Sequence, residues 1–298
     1  MMFGMDSKSW SSKLWLMVLS AAVVLLLFIQ LSHPGSQSTQ PLAQATPVED
    51  SLSQILKSGV MKVGYIDYPP AVIKDPKTGE LSGEFVEIVR YIAKELNVKL
   101  EFQEASWATF ITGLQTHQYD VSIAPTYIRI ARAANVAYSN PIAYLGNSAG
   151  IRKGDSRFDS VKSPMDFDRP GIVVAVVQGE AADEYTKEHF TKAKVLELSG
   201  SDLAAPLTLV ASGQADVGLT DAYVTRTFTA QNTQVRDVFA NDPYDISPMA
   251  WSVRPDDYRL LNFINNALQF LESSGKIAEW QKQYNAHWMF SVPSVKSD

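Results

Sequence analysis

Apolar residues fill positions 14–31 with only Ser20 and Gln30 as interruptions. Eighteen helical residues reach about 27 Å, just short of the hydrocarbon core of a bilayer. The run has no polar face, so it does not read as an amphipathic core helix. Lys8 and Lys13 precede it, and no Lys or Arg follows until Lys57. That asymmetry predicts residues 1–13 in the cytoplasm and everything after residue 31 outside. The run is long for a cleaved signal, and its one small-x-small site, AQA at 43–45, lies well downstream. A retained membrane anchor is therefore the expectation, and a cleaved signal the alternative. Residues 32–50, rich in Pro, Gln, Ser and Thr, read as a flexible tether.

From residue 51 the pattern changes. Short apolar runs at 60–66, 121–124, 172–177, 195–198 and 217–219, and an alternating one at 98–102, predict strands. Phe85, Ile88, Val89, Ile92 and Leu96 recur at helical spacing, with Asn97 as the stop. Ser106 is a candidate cap for a helix carrying Trp107, Phe110, Ile111 and Leu114. Two further helices are predicted at 256–272 and 276–288, separated at Gly275. Strands alternating with helices make the chain α/β.

One pattern occurs twice. LQTHQYDVSI at 114–123 and VASGQADVGL at 210–219 each read as a helix end, a polar turn, an aspartate and a buried strand. Two copies of one unit predict two lobes of similar construction. Arg132 follows the first copy in a loop, and Asp221 directly follows the second. Both fall at the C-terminal ends of strands, where open α/β sheets place their ligands.

Composition narrows the chemistry. With 46% hydrophobic and 19% charged residues the chain is globular rather than disordered. A net charge of −6 argues against a nucleic-acid partner. The absence of cysteine removes disulfides, thiolate metal sites and a lipid-carrying cysteine. His33, His117, His189 and His287 show no metal-binding spacing, and no phosphate loop, dinucleotide fingerprint or nucleophile elbow occurs. No catalytic residue, metal or cofactor is expected, although missing motifs do not by themselves exclude an enzyme.

A guanidinium grips a carboxylate, and a desolvated carboxylate suits an ammonium. Arg132 and Asp221 on facing lobes therefore suit a small zwitterion, such as an amino acid. Asp221 fits an N-cap equally well.

At these residues the chain resembles a known family, the polar amino-acid-binding proteins of ABC importers. The resemblance runs from about residue 52 to 288. It is carried by LKSGVMKVG at 56–64, YPP at 68–70, GELSGEF at 79–85, SW at 106–107 and DVSIA at 120–124. Arg132, YSNP at 138–141, QG at 178–179 and ADVGLTD at 215–221 complete it. It implies the type II periplasmic-binding-protein fold, with lobe 1 at 51–147 and 248–292, lobe 2 at 148–247, and hinge strands near 142–148 and 246–251. It implies that Arg132 binds the ligand α-carboxylate and Asp221 the α-ammonium. Tyr68 and Trp107 would wall the side-chain pocket, and the turn at Gly179 would present backbone N–H groups.

The chain also departs from that family. Tyr127 stands where a small hydroxyl residue is usual, with Thr126 adjacent as a substitute. Glu180 replaces the hydroxyl residue after the glycine. With Asp67 nearby, Glu180 either favours a cationic ligand or faces solvent.

The resemblance implies a monomeric extracytoplasmic receptor, periplasmic or extracellular, that delivers an amino acid or close analogue to an ABC permease. A second expectation is a secreted cyclohexadienyl (prephenate or arogenate) dehydratase, which shares SW at 106–107 and TDA at 220–222. That group carries a glutamate three residues after the aspartate, where this chain has Val224. A sensory binding module is a third.

Overall fold

A computed structural model describes residues 50–286, so the apolar segment, most of the tether and residues 287–298 lie outside the described residues. Among the described residues no helix is long and apolar enough to cross a membrane.

The strands are β1 (Val60–Tyr65), β2 (Ile73–Lys74), β3 (Leu81–Ser82), β4 (Lys99–Glu104), β5 (Val121–Tyr127) and β6 (Ala137–Tyr138). They continue with β7 (Ala143–Arg152), β8 (Val173–Val177), β9 (Lys194–Leu198), β10 (Val217–Asp221), β11 (Val235–Asp237) and β12 (Tyr244–Val253). Ten of them form one sheet, in which β4-β1-β5-β12-β7-β10-β8-β9 are neighbours in that order, β6 adds to β12 and β11 to β7.

Within each half of the sheet, neighbours such as β1 and β4, or β8 and β9, run parallel. The halves are joined by antiparallel β7 and β12. The first part of β7 pairs with β12 and its later part with β10. The last part of β12 pairs with β5. Each of these ten-residue strands thus belongs to both halves, and together they are the two crossings of a two-lobed α/β fold.

Parallel strands are covered on both faces, and β5 accordingly buries all seven of its residues. On the first lobe the helix Glu84–Leu96 sets Phe85, Ile88, Val89 and Ile92 into the core, where Phe85 meets Trp251 edge-on at 5.7 Å. Asn97 ends that helix in the left-handed conformation, as its position predicts. On the second lobe Phe158, Phe167, Val174, Val176, Leu219 and Phe239 form a separate core.

The repeated pattern has a common physical basis. Asp120 receives the N–H of Lys62 at 2.9 Å and gives its own N–H to the Lys62 carbonyl at 2.9 Å. Asp216 makes the same two bonds to Val173, both at 2.9 Å. Each aspartate pins the strand it begins to the neighbouring parallel strand, so the two lobes reuse one joint.

The observed elements differ from expectation in two places that bear on the cleft. β5 continues through Pro125 to Tyr127 instead of ending at Ala124. A register shift between Ala250 and Ser252 in β12 lies opposite this stretch and accommodates a proline, which has no N–H for the ladder. Ser106 caps no helix. It opens a turn closed by the Phe110 N–H on its carbonyl, and the helix itself is Phe110–Gln115.

Candidate functional site

The two copies of the joint aim their C-terminal ends at one cleft. Past β5 the chain makes a single helical turn, Ile130–Ala133, that buries Arg132. The guanidinium lies 5.8 Å from the centre of the Phe110 ring. Asp221 is both the last residue of β10 and the N-cap of the helix Ala222–Gln231, its carboxylate accepting the Val224 N–H at 2.7 Å. Glu180 is the N-cap of the helix Ala181–His189, with Oε2 accepting the Ala182 N–H at 2.8 Å.

Arg132, Asp221, Glu180, Tyr68, Trp107 and Tyr127 line one small cavity between the lobes. Its free space is about 10 Å³, room for a single water. The lobes are shut on each other. Trp107 Nε1 donates across the cleft to the Ser201 carbonyl at 3.2 Å. Arg132 donates from Nη2 to the Gly179 carbonyl at 3.0 Å and from Nε to Glu184 at 2.8 Å.

Gly179 sits at the tightest approach. Its φ is +79°, and a Cβ there would stand 2.7 Å from the backbone N and Cα of Ala108 on the opposite lobe. Only glycine allows both that conformation and that contact.

Burial sets the charge states. Glu180, 4% exposed, is pushed up to about 8 by desolvation and by the facing carboxylate of Asp221. Asp221, 2% exposed, is pushed up to about 6 by desolvation, against the lowering effect of the Val224 N–H and of a hydrogen bond from Tyr68. The hydroxyls of Tyr68 and Tyr127 are driven well above their ordinary range, first by burial and then by Asp221. Tyr68 meets Trp107 edge-on at 6.1 Å, and Tyr127 Oη donates to the Gly146 carbonyl at 3.1 Å.

The other expected residues fall outside this cavity. Asp67 lines an adjoining groove of about 360 Å³, together with Asp202, Tyr223 and Val224, and accepts the Lys74 N–H at 3.1 Å. Thr126 is fully buried and donates to the Ala250 carbonyl at 3.1 Å, so it faces β12 rather than the cleft. The N–H of Gly179 is engaged by Asp183 at 2.8 Å, and so is not the open donor that the resemblance implied.

Two further pairs take part that no motif in the sequence marks. Glu184 bonds Arg132, and the only signal for it is its position four residues after Glu180, on the same helix face. Arg129 grips Asp245 of β12 with both terminal nitrogens, one of them at 2.7 Å. Among the described residues no cluster of three or more His, Cys, Asp or Glu suits a metal.

The family model for bacterial extracellular solute-binding proteins, family 3, matches residues 61–287. A glutamine-binding protein of an ABC transporter from Bacillus subtilis is 26% identical over 268 residues, 89% of this chain and 95% of that one. The cyclohexadienyl dehydratase of Pseudomonas aeruginosa is 24% identical over 243 residues, 81% of this chain and 87% of that one. The crystal structure of an ancestral amino acid-binding protein, a precursor of cyclohexadienyl dehydratase, superposes with a TM-score of 0.69 at 30% identity, covering 79% of this chain and 99% of that one.

Proposed function

We propose that this chain, which belongs to the bacterial extracellular solute-binding proteins of family 3, captures an amino acid between its lobes and delivers it to an ABC permease. One observation carries the reading: a buried cation and a buried carboxylate converge on one cleft, Arg132 from the helical turn that follows β5 and Asp221 from the end of β10.

On this reading residues 51–147 and 248–292 form lobe 1, and 148–247 form lobe 2. Arg132 receives the ligand carboxylate and Asp221 its ammonium, while Tyr68, Trp107 and Tyr127 wall the side chain. Arg132 also pairs with Glu184 across the cleft. Ligand entry exchanges one carboxylate for another at the same guanidinium, and the lobes close on the ligand by as much as it prefers the closed form. The receptor works outside the cytoplasm, held to the membrane by residues 14–31. The glutamine-binding relative and the ancestral amino acid-binding structure support the ligand class.

Titration calorimetry of the full chain against the common amino acids tests this. At least one binds at micromolar or tighter affinity, and Arg132→Ala and Asp221→Ala each weaken it by about 100-fold or more. Unchanged affinity in both variants would falsify the assignment.

Glu180 favours one second reading. A buried carboxyl held up to about 8 is protonated at neutral pH and can give a proton to a leaving group. That is what a dehydratase needs, although Val224 stands where the resemblance implies the acid. Incubating the chain with prephenate and arogenate decides between the two readings, and turnover above about 1 per second would favour the enzyme.

A further inference from the structure

We infer that the cleft selects an α-amino acid whose side chain carries a second positive charge, and that Glu180 is the residue that receives it. The inference rests on the amino-acid reading above.

The charges around the cleft do not balance for a simple zwitterion. Its walls and the adjoining groove present Glu180, Asp221, Asp67 and Asp202 against Arg132. A zwitterion uses Arg132 and Asp221 one for one. Glu180 then remains in the wall, buried, beside a ligand that offers it nothing.

The groups facing Glu180 do not supply the missing charge. They are Asp221 from β10, Tyr127 from β5, Tyr244 from β12, and Arg132 and Arg129 from the segment after β5. The tyrosines and Asp221 bring no positive charge. Arg132 is bonded to Glu184 and the Gly179 carbonyl, and Arg129 is bonded to Asp245. A cation brought by the ligand would pair with Glu180 in a water-excluded site, where charge pairing is strong. Tyr68, Trp107 and Tyr127 add ring surfaces that also favour a cation. A neutral side chain would leave Glu180 protonated, and an anionic one would meet repulsion from four carboxylates.

Cation binding must also displace a proton. Burial and the facing Asp221 hold Glu180 largely protonated at pH 7, whereas a Glu180 paired with a cation is ionised. Affinity for a cationic ligand therefore rises with pH until Glu180 is ionised without help, near pH 8. A merely helix-capping Glu180 gives no such dependence.

The experiment is calorimetry of the full chain at pH 7 in two buffers of different ionisation enthalpy. Arginine is compared with citrulline, which has the same length and no charge, and lysine with glutamine. The expected result is that the cation binds about 100-fold tighter than its neutral counterpart, with release of about one proton. Glu180→Gln keeps an oxygen to cap Ala182. It should lose at least about tenfold of the discrimination between a cation and its neutral counterpart, and release no proton. Citrulline or glutamine binding the wild type as tightly as the cation overturns the inference and leaves the amino-acid reading standing. Full discrimination and proton release in Glu180→Gln overturns it as well. Failure of every amino acid to bind overturns the reading beneath it, and the inference with it.

Discussion

Arg132 Nε lies 2.8 Å from Glu184 Oε1, and the pair ties the segment after β5 to the helix Ala181–His189 across the cleft. The two ends of this bond differ in setting. The Arg132 side chain is 6% exposed and that of Glu184 is 42% exposed. The buried partner is fixed by its surroundings, while the carboxylate reaches in from the surface and can leave. The closed form thereby holds an exchangeable anion of its own at the guanidinium proposed to grip the ligand.

Removing that anion should help the ligand. Glu184→Ala is expected to tighten ligand binding by about two- to tenfold, because the competitor for Arg132 is gone. Without ligand, the same variant should shift the lobes toward the open form, seen as a larger radius of gyration in small-angle scattering. Weaker binding in Glu184→Ala would instead make Glu184 a ligand contact.

Gly179→Ala should separate folding from closure. The new Cβ meets the Ala108 backbone only when the lobes are shut. The variant should fold, with a cost of about 1–2 kcal/mol from the left-handed conformation. Its ligand affinity should fall by at least about tenfold. Scattering with and without ligand should show one open shape, and normal ligand-induced compaction would refute the steric role.

Much of this arrangement was readable in the chain. Strand and helix positions follow from periodicity, and the echo at Asp120 and Asp216 was visible because each copy makes the same local bonds. The place of Thr126 could not be read from its neighbours, because it depends on β5 running on past Pro125. The register shift that lets Pro125 remain in the strand lies in β12, more than 120 residues away. Once the strand continues, its alternation turns Tyr127 into the cleft and Thr126 toward Ala250. Asp245 left no signal, and Glu184 only its spacing from Glu180. Their partners are set by lobe closure and by a strand crossing, neither of which leaves a local pattern.

The Arg129–Asp245 pair should govern the hinge. Asp245 also receives the Asn147 side-chain amide at 3.2 Å, so one carboxylate links β12, β7 and the exit of β5. Its φ of 54° suits Asp or Asn, which makes Asp245→Asn the conservative probe. Loss of the charge pair, about four-fifths buried on each side, should cost about 1–2 kcal/mol, read as a fall in Tm of a few degrees. Calorimetric unfolding of Asp245→Asn and Arg129→Ala checks this. A double variant no worse than either single one would show that the two residues act as a pair.

Glu180 should also leave a mark on stability without any ligand. Its ordinary value is 4.5, and the fold raises it to about 8. Between those values the folded chain binds a proton that the unfolded chain does not, so stability falls as pH rises through this window. The contribution is fully present below about pH 4.5 and lost once the folded carboxyl ionises near pH 8. Asp221, raised to about 6, acts in the same direction at lower pH. Glu180→Gln removes the larger of the two effects. Denaturant titrations from pH 5 to 9 should show the wild type losing stability up to about pH 8 and levelling off beyond it. The variant should stay nearly level above pH 6, so its advantage over the wild type grows from about pH 5 and stops growing near pH 8. Parallel curves for the two proteins would mean that Glu180 reaches solvent in the folded state.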